Sequence, residues 1–257
     1  MSVDRNGMIE VVGKRPFQDD FRPLLDEVRS RLSPHAGRLL HSVYVYGSVA
    51  AGRAVPTRSD LDLSLVLCRP PAEQDSHLIE GIRRTIEAGH PVVSKVDFDI
   101  GSLEDILSAE SGMAWRYWLR HHCRCILGSD LTQGIPLFRP SRTLARAVNG
   151  DFGHVLQGYR NALAAAPSAS AARRLVREAS RKLIRSTNML RGEADTDWPH
   201  TLEEHVVRFR SLFPVQGQEL HFFLRQAREP DADPACFSGR LQAFADWMTN
   251  ALHGGDQ

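Results

Sequence analysis

The sequence predicts an α/β (α+β) fold: a small, mixed, twisted β-sheet with flanking helices, followed by a C-terminal helical bundle. Three observations predict it. Runs rich in β-branched and aromatic residues occur at 39–47, 61–67 and 91–101, all in the first half of the chain. Segments with apolar residues at helical spacing lie between them. Beyond the stretch 128–143, which carries two Gly and two Pro, only helical spacing recurs.

Taken in order, residues 19–33 place Phe21, Leu24, Leu25, Val28 and Leu32 on one helical face. The run LLHSVYVYG (39–47) reads as a strand stopped by Gly47. A small-residue loop follows, broken by Gly52 and Pro56, and then LDLSLVL (61–67) alternates as a second strand. Residues 73–89 read as a helix closed by Gly89, and 91–101 as a third strand built on Val92, Val93, Val96, Phe98 and Ile100. Segments 102–111 and 113–125 read as helical. After the linker, helices are expected over 144–164, 170–191, 201–213, 217–228 and 238–252. The division is therefore a mixed domain at 1–140 and a helical domain at 141–257.

Composition narrows the function classes. Apolar residues make up 42% and charged residues 25% of 257, so global disorder is excluded. No apolar run reaches the length of a membrane span. The first twenty residues hold no signal-peptide core, and the four cysteines make no disulfide framework, so a reducing cytoplasm is expected. A net charge of +1 gives no bulk attraction to nucleic acid. Only Lys14, Lys95 and Lys182 are lysine, so arginine is expected to do most of the phosphate work.

The chemistry concentrates in VYVYGSVAAGRAVPTRSDLDLSLVL. Residues i and i+2 of a strand share a face, so Asp60 and Asp62 set two carboxylates side by side. Such a pair repels itself, and a hard divalent cation with oxygen ligands relieves it. Gly47 lets the backbone approach an anion, and the Ser48 hydroxyl can donate to phosphate. In VDFDI, Asp97 and Asp99 also share a face, and either can join the pair if the third strand lies beside the second. Three carboxylates around one or two Mg²⁺ ions suit phosphoryl or nucleotidyl transfer.

This pattern resembles the nucleotidyltransferase superfamily that includes DNA polymerase β and the antibiotic nucleotidyltransferases. Tyr46-Gly47-Ser48, eleven intervening residues that end on Ser59, and then Asp60-Leu61-Asp62 match its YGS…SDxD form, with Gly52 within the gap. The helical half resembles the C-terminal domain of single-chain aminoglycoside adenylyltransferases. The resemblance implies that Asp60 and Asp62 hold Mg²⁺, two ions in all, with Asp97 as third ligand and Asp99 as its alternative. It implies that Gly47, Ser48 and Ser59 lie against an NTP, ATP foremost, and that Ser48 touches its β- and γ-phosphates. The third acidic residue serves as general base in some relatives, and a Glu of the helical domain in others, a role open here to Glu178.

The arginines 173, 177, 181 and 185 recur every four residues beside a buried face of Val176, Ala179, Leu183, Thr187 and Leu190. One reading is a solvated face. The resemblance implies another, in which Arg181, with Lys182 or Arg185, meets the triphosphate across an interdomain cleft. No lysine follows Lys182, whereas the family often has one further along. Glu193, Asp195, Asp197, Glu203 and Glu204 could receive a polycationic acceptor, or simply form a solvated loop and a helix start capped by Thr201 with Glu204. Residues 141–257 hold 15 basic and 13 acidic side chains, which favours the second reading.

His121 and Cys125, at helical spacing, lack the further pair that a four-ligand zinc site needs. Trp115 and Trp118 read as packing. GSVAAG lacks the GK[ST] of a phosphate loop, and Ser48 lacks the GxSxG of a hydrolase.

The expected activity is Mg²⁺-dependent transfer of an NMP, AMP foremost, from an NTP to a hydroxyl of a small molecule such as an aminoglycoside or lincosamide. Alternative acceptors are a biosynthetic metabolite, a protein side chain or a tRNA end. The alternative class is a nucleotide-binding or partner-binding module without turnover.

Overall fold

The computed structural model describes residues 3–13, 15–109 and 112–254. It divides into two compact units: one runs from Ile9 to Phe138, and the other comprises the residues before Ile9 with those from Arg139 onward. Among the described residues no helix is long and apolar enough to cross a membrane.

The first unit opens with α1 (Arg22–Leu32), whose predicted face of Leu24, Leu25, Val28 and Leu32 is buried. Next come β1 (Leu40–Tyr46), the short α2 (Gly47–Ala50), β2 (Leu61–Leu67), α3 (Glu73–Gly89) and β3 (Val96–Ser102). Then follow α4 (Leu103–Leu107), α5 (Gly112–His122) and β4 (Arg124–Gly128). The sheet order is β3-β2-β1-β4. β1 pairs antiparallel with β2 and with β4, while β2 pairs parallel with β3, so the sheet is mixed as expected.

The sheet is covered on both faces, and the period of two along each strand assigns the residues. Leu61, Leu63, Leu65, Val43, Val45 and Val96 pack with α1 and α3 around Phe21, Leu24, Ile79 and Ile86. On the opposite face, Tyr44 and Val66 pack with Ile106, Leu119 and Cys123 of the α4–α5 segment, with Tyr46, Trp115 and Trp118 against them. Trp115 lies so close to Gly101 of β3 that a Cβ there would meet its ring carbon at 2.5 Å. Both tryptophans are therefore packing residues, as predicted.

The predicted elements need four corrections. The segment 91–95 is not strand. Its backbone instead braces the preceding loop: Thr57 N–H donates to Val92 O, Ser94 N–H to Ser59 O and Leu61 N–H to Lys95 O. The helix read over 113–125 stops at His122, and Arg124–Gly128 forms β4 on the free edge of β1. His121 and Cys125 thus do not share a helix. The His121 ring faces Glu10 O through Nδ1 at 3.1 Å, and its Nε2 accepts from Phe138 N–H, also at 3.1 Å. The helical reading of 102–111 shortens to α4, while Glu110 and Ser111 lie outside the described residues.

In the second unit the helix read over 144–164 is two, α6 (Arg142–Asn149) and α7 (Phe152–Ala164), broken at Gly150. The others are α8 (Ala169–Ser186), α9 (Leu202–Leu212), α10 (Gly217–Arg228) and α11 (Pro234–Gly254), and the unit contains no strand among the described residues. Its core joins Leu156, Leu183, Ile184, Phe209, Phe223, Phe237 and Phe244.

Candidate active site

The site is built where β1 ends and β2 and β3 begin. Tyr46 is opposite Asp62 across β1 and β2, and Asp62 is opposite Asp97 across β2 and β3. The alternating leucines of β2 commit Leu61 and Leu63 to the core, which turns Asp62 and Ser64 to the other face. Ser64 accepts the Trp118 indole N–H at 3.1 Å, and Trp118 meets Tyr46 edge-on at 4.8 Å. These contacts fix the floor on which Asp62 stands.

Gly47 has φ of +69°. A Cβ added there would overlap Asp62 Oδ2, so the backbone comes closer to this carboxylate than any side chain permits. Ser48 follows in α2, half-buried, and its carbonyl accepts from Arg53 N–H. Ser59 Oγ accepts Val55 N–H at 2.9 Å, closing the loop that ends at Asp60. The hydroxyl expected at the nucleotide thus has a structural bond to its own loop.

The carboxylates gather as the register requires. Burial pushes the Asp62 carboxyl up to about 7, and the neighbouring charges of Asp60, Asp97 and Asp99 push in the same direction, with Lys95 opposing. Each of the three neighbours is held by an internal donor. Ser94 Oγ donates to Asp60 Oδ1 at 2.5 Å, Lys95 Nζ pairs with Asp97 Oδ1 at 2.5 Å, and Tyr46 O–H donates to Asp99 Oδ2 at 2.6 Å. Burial and the Asp99 charge raise the Tyr46 phenol well above its ordinary value, so it remains a donor.

Asp60, Asp62 and Asp97, expected to grip metal together, are brought to one end of the sheet. Yet no three acidic, histidine or cysteine side chains among the described residues stand close enough together to hold an ion. In the chemistry of its donors, though not in their spacing, the set suits a hard cation. It offers only carboxylate oxygens, carries excess negative charge, and sits under a glycine cradle that a side chain would fill.

Sequence reasoning missed Ser94 and Lys95, which precede β3, and the Tyr46–Asp99 bond. One signal for Lys95 was available: it is one of only three lysines, and it stands two residues before Asp97.

The other expected residues belong to the second unit. The buried face of α8 holds Val176, Ala179 and Leu183 as predicted. Glu178 lies near Arg174 at 3.9 Å, and Lys182 pairs with Asp151 at 2.7 Å, while Arg181 and Arg185 occupy the same helix. The acidic segment takes the plainer reading. Asp195 and Asp197 both pair with Arg208, Glu203 pairs with Arg228, and Glu204 completes the capping box with Thr201. Arg191, with no exposed side-chain surface, donates to the carbonyls of Asp195 and Asp197 and stiffens this loop.

No protein-family model and no curated protein matches the chain. Among solved structures it is similar to spectinomycin adenyltransferase AAD(9) from Enterococcus faecialis, determined with ATP and spectinomycin. The TM-score is 0.54 at 13% sequence identity, over 86% of this chain and 98% of that one. The chain therefore shares the fold of that structure: a mixed four-stranded sheet with a helical region after it.

Proposed function

We propose that the chain is a Mg²⁺-dependent nucleotidyltransferase that moves an NMP, AMP foremost, from an NTP to a hydroxyl of a small molecule. The observation that carries this reading is Asp62, set under the Gly47 backbone and beside Asp60 and Asp97. A structural protein gains nothing from crowding four carboxylates at one sheet end, because the crowding destabilises the fold. Support also comes from the neighbour of the same fold, whose structure was determined with ATP and spectinomycin.

In this reading Asp60, Asp62 and Asp97 hold the metal. Bound Mg²⁺ supplies charge neutralisation of the triphosphate and activation of the attacking hydroxyl. Gly47 presents backbone and Ser48 a hydroxyl to the β- and γ-phosphates, while the nearby Ser59 keeps the loop before Asp60 in place. Arg181, Lys182 and Arg185 are proposed as further cationic groups for the triphosphate. The acceptor oxygen forms a bond to the α-phosphorus as the bond to the bridging oxygen breaks, and pyrophosphate leaves. The acceptor proton passes to a carboxylate, for which Asp97, Asp99 and Glu178 are the candidates. An antibiotic acceptor is favoured by the structural neighbour, although the acidic side chains Asp195, Asp197, Glu203 and Glu204 are engaged internally.

Pyrophosphate release, measured for each NTP against an antibiotic panel with mass detection of the adduct, tests the reading. Asp60→Asn is expected to lower kcat at least ~100-fold, since positioning and charge neutralisation carry the catalysis. Near-normal turnover in that variant contradicts the assignment. Nucleotide binding without release for any acceptor favours the module without turnover.

A further inference from the structure

We infer that Lys95 is an internal counter-cation of the carboxylate cluster, which a divalent ion must displace from Asp97 before the site can be loaded. The inference rests on the metal-binding reading above and adds a residue that reading does not use.

The argument begins with charge. Four carboxylates act on one another at the ends of β2 and β3, and Lys95 is the cation that opposes them at Asp62. Its ammonium is 2.5 Å from Oδ1 of Asp97, a carboxylate the metal reading assigns to the ion. An ammonium and a divalent ion cannot both occupy that position, so the two compete for it. Placement supports the exchange. Lys95 lies just outside β3, its side chain is 36% exposed, and the Asp97 side chain is 37% exposed, so the stem can swing toward solvent without leaving a cavity. Its backbone is separately anchored, because Lys95 O accepts Leu61 N–H. The arrangement also accounts for a cluster rich in carboxylates that is not drawn together for coordination. Lys95, Ser94 and Tyr46 each turn one carboxylate to an internal partner. Of the three, only Lys95 carries charge, so its removal changes the net charge that an ion meets.

The chemistry of lysine suits the task. Its ammonium is a compact point charge on a flexible four-carbon stem, whereas arginine would hold a carboxylate by a planar fork. The exchange is non-covalent: the Lys95–Asp97 pair opens, the ammonium returns to water still protonated, and Asp97 becomes available as a metal ligand.

The experiment is titration of Mn²⁺ alone into the full-length chain without nucleotide, with free Mn²⁺ followed by electron paramagnetic resonance. It uses wild type, Lys95→Met, Lys95→Gln, Lys95→Arg and Asp60→Asn, with circular dichroism checking that each is folded. The partly exposed pair is screened, so Lys95→Met and Lys95→Gln are expected to bind Mn²⁺ about fivefold more tightly than wild type. Lys95→Arg keeps the charge and holds the carboxylate by its fork, so it is expected to bind Mn²⁺ no more tightly than wild type. Mn²⁺ binding that is equal or weaker in both neutral variants, and weakened in Asp60→Asn, overturns the counter-cation while leaving the metal reading intact. No Mn²⁺ binding by any variant at millimolar concentration overturns both.

Discussion

Gly47 and Asp62 define the site at the scale of single residues, and each predicts a variant. Gly47→Ala meets two costs, a left-handed φ of +69° and overlap with Asp62 Oδ2. It is expected to lose about 1–3 kcal/mol of stability, readable by urea unfolding, together with most turnover. Asp62→Asn has the opposite effect on the fold. The Asp62 pKa is raised to about 7 by burial and by Asp60, Asp97 and Asp99, so the folded state holds a proton that the unfolded chain releases near the ordinary carboxylate value. Stability from this group is complete below that ordinary value and is lost as pH rises through about 7. In the metal-free protein at pH 8, Asp62→Asn is therefore expected to raise Tm by a few °C, about 1 kcal/mol or more, while turnover disappears. A lower Tm at pH 8 would show that Asp62 is a net stabilising charge. The residue scale is also where the sequence was most legible, because the YGS…SDxD spacing names Gly47, Ser48, Asp60 and Asp62 without any coordinates. Lys95 was legible only as a rare lysine near Asp97, since nothing in a linear pattern tells which carboxylate an ammonium will meet.

At the scale of the element, β2 shows how a single strand serves core and site together. Leu61, Leu63, Leu65 and Leu67 are buried against α1 and α3, and the same alternation turns Asp62 and Ser64 the other way. A one-residue slip would exchange the two sets, so the leucines fix the position of the carboxylate. The α9 helix gives a second case. Thr201 and Glu204 cap its start, and His205 lies buried one residue later with no partner at Nδ1 among the described residues. Burial, aided by Arg185 and Arg208 and opposed by Glu204, lowers the His205 pKa to about 3. The unfolded chain takes up this proton near pH 6.5 and the folded chain does not. The contribution is thus complete above about 6.5 and is lost as pH falls toward 3. His205→Leu is expected to flatten the fall in Tm between pH 6.5 and pH 4, and an unchanged slope would assign that fall to other groups.

At the scale of the whole molecule each of the two units has hydrophobic packing of its own, on both faces of the sheet in one and among the helices α7 to α11 in the other. Separate cores predict unfolding that departs from a single two-state transition. Phe223 is fully buried and meets the rings of Phe222, Phe237 and Phe244 at 5.2, 5.7 and 5.7 Å. Phe223→Ala is expected to cost about 3–5 kcal/mol, and calorimetry should show one transition lowered and the other unmoved. Equal displacement of the whole trace would mean that the two cores melt as one.

The sequence by itself determined the local features: the leucine alternation of β2, the face of α1, the box at Thr201 and Glu204, and the spacing of the Gly-Ser and Asp-x-Asp residues. Those follow from spacing and side-chain type, which are properties of neighbouring residues. Tertiary structure decided β4, whose five residues become a strand because the edge of β1 offers unpaired backbone groups. It also decided that Asp97 lies directly beside Asp62, that Asp99 is held by Tyr46, and that Lys95 closes on Asp97. These are contacts between strands distant in the chain, and strand register, set by burial on the opposite face, is what brings their charges together.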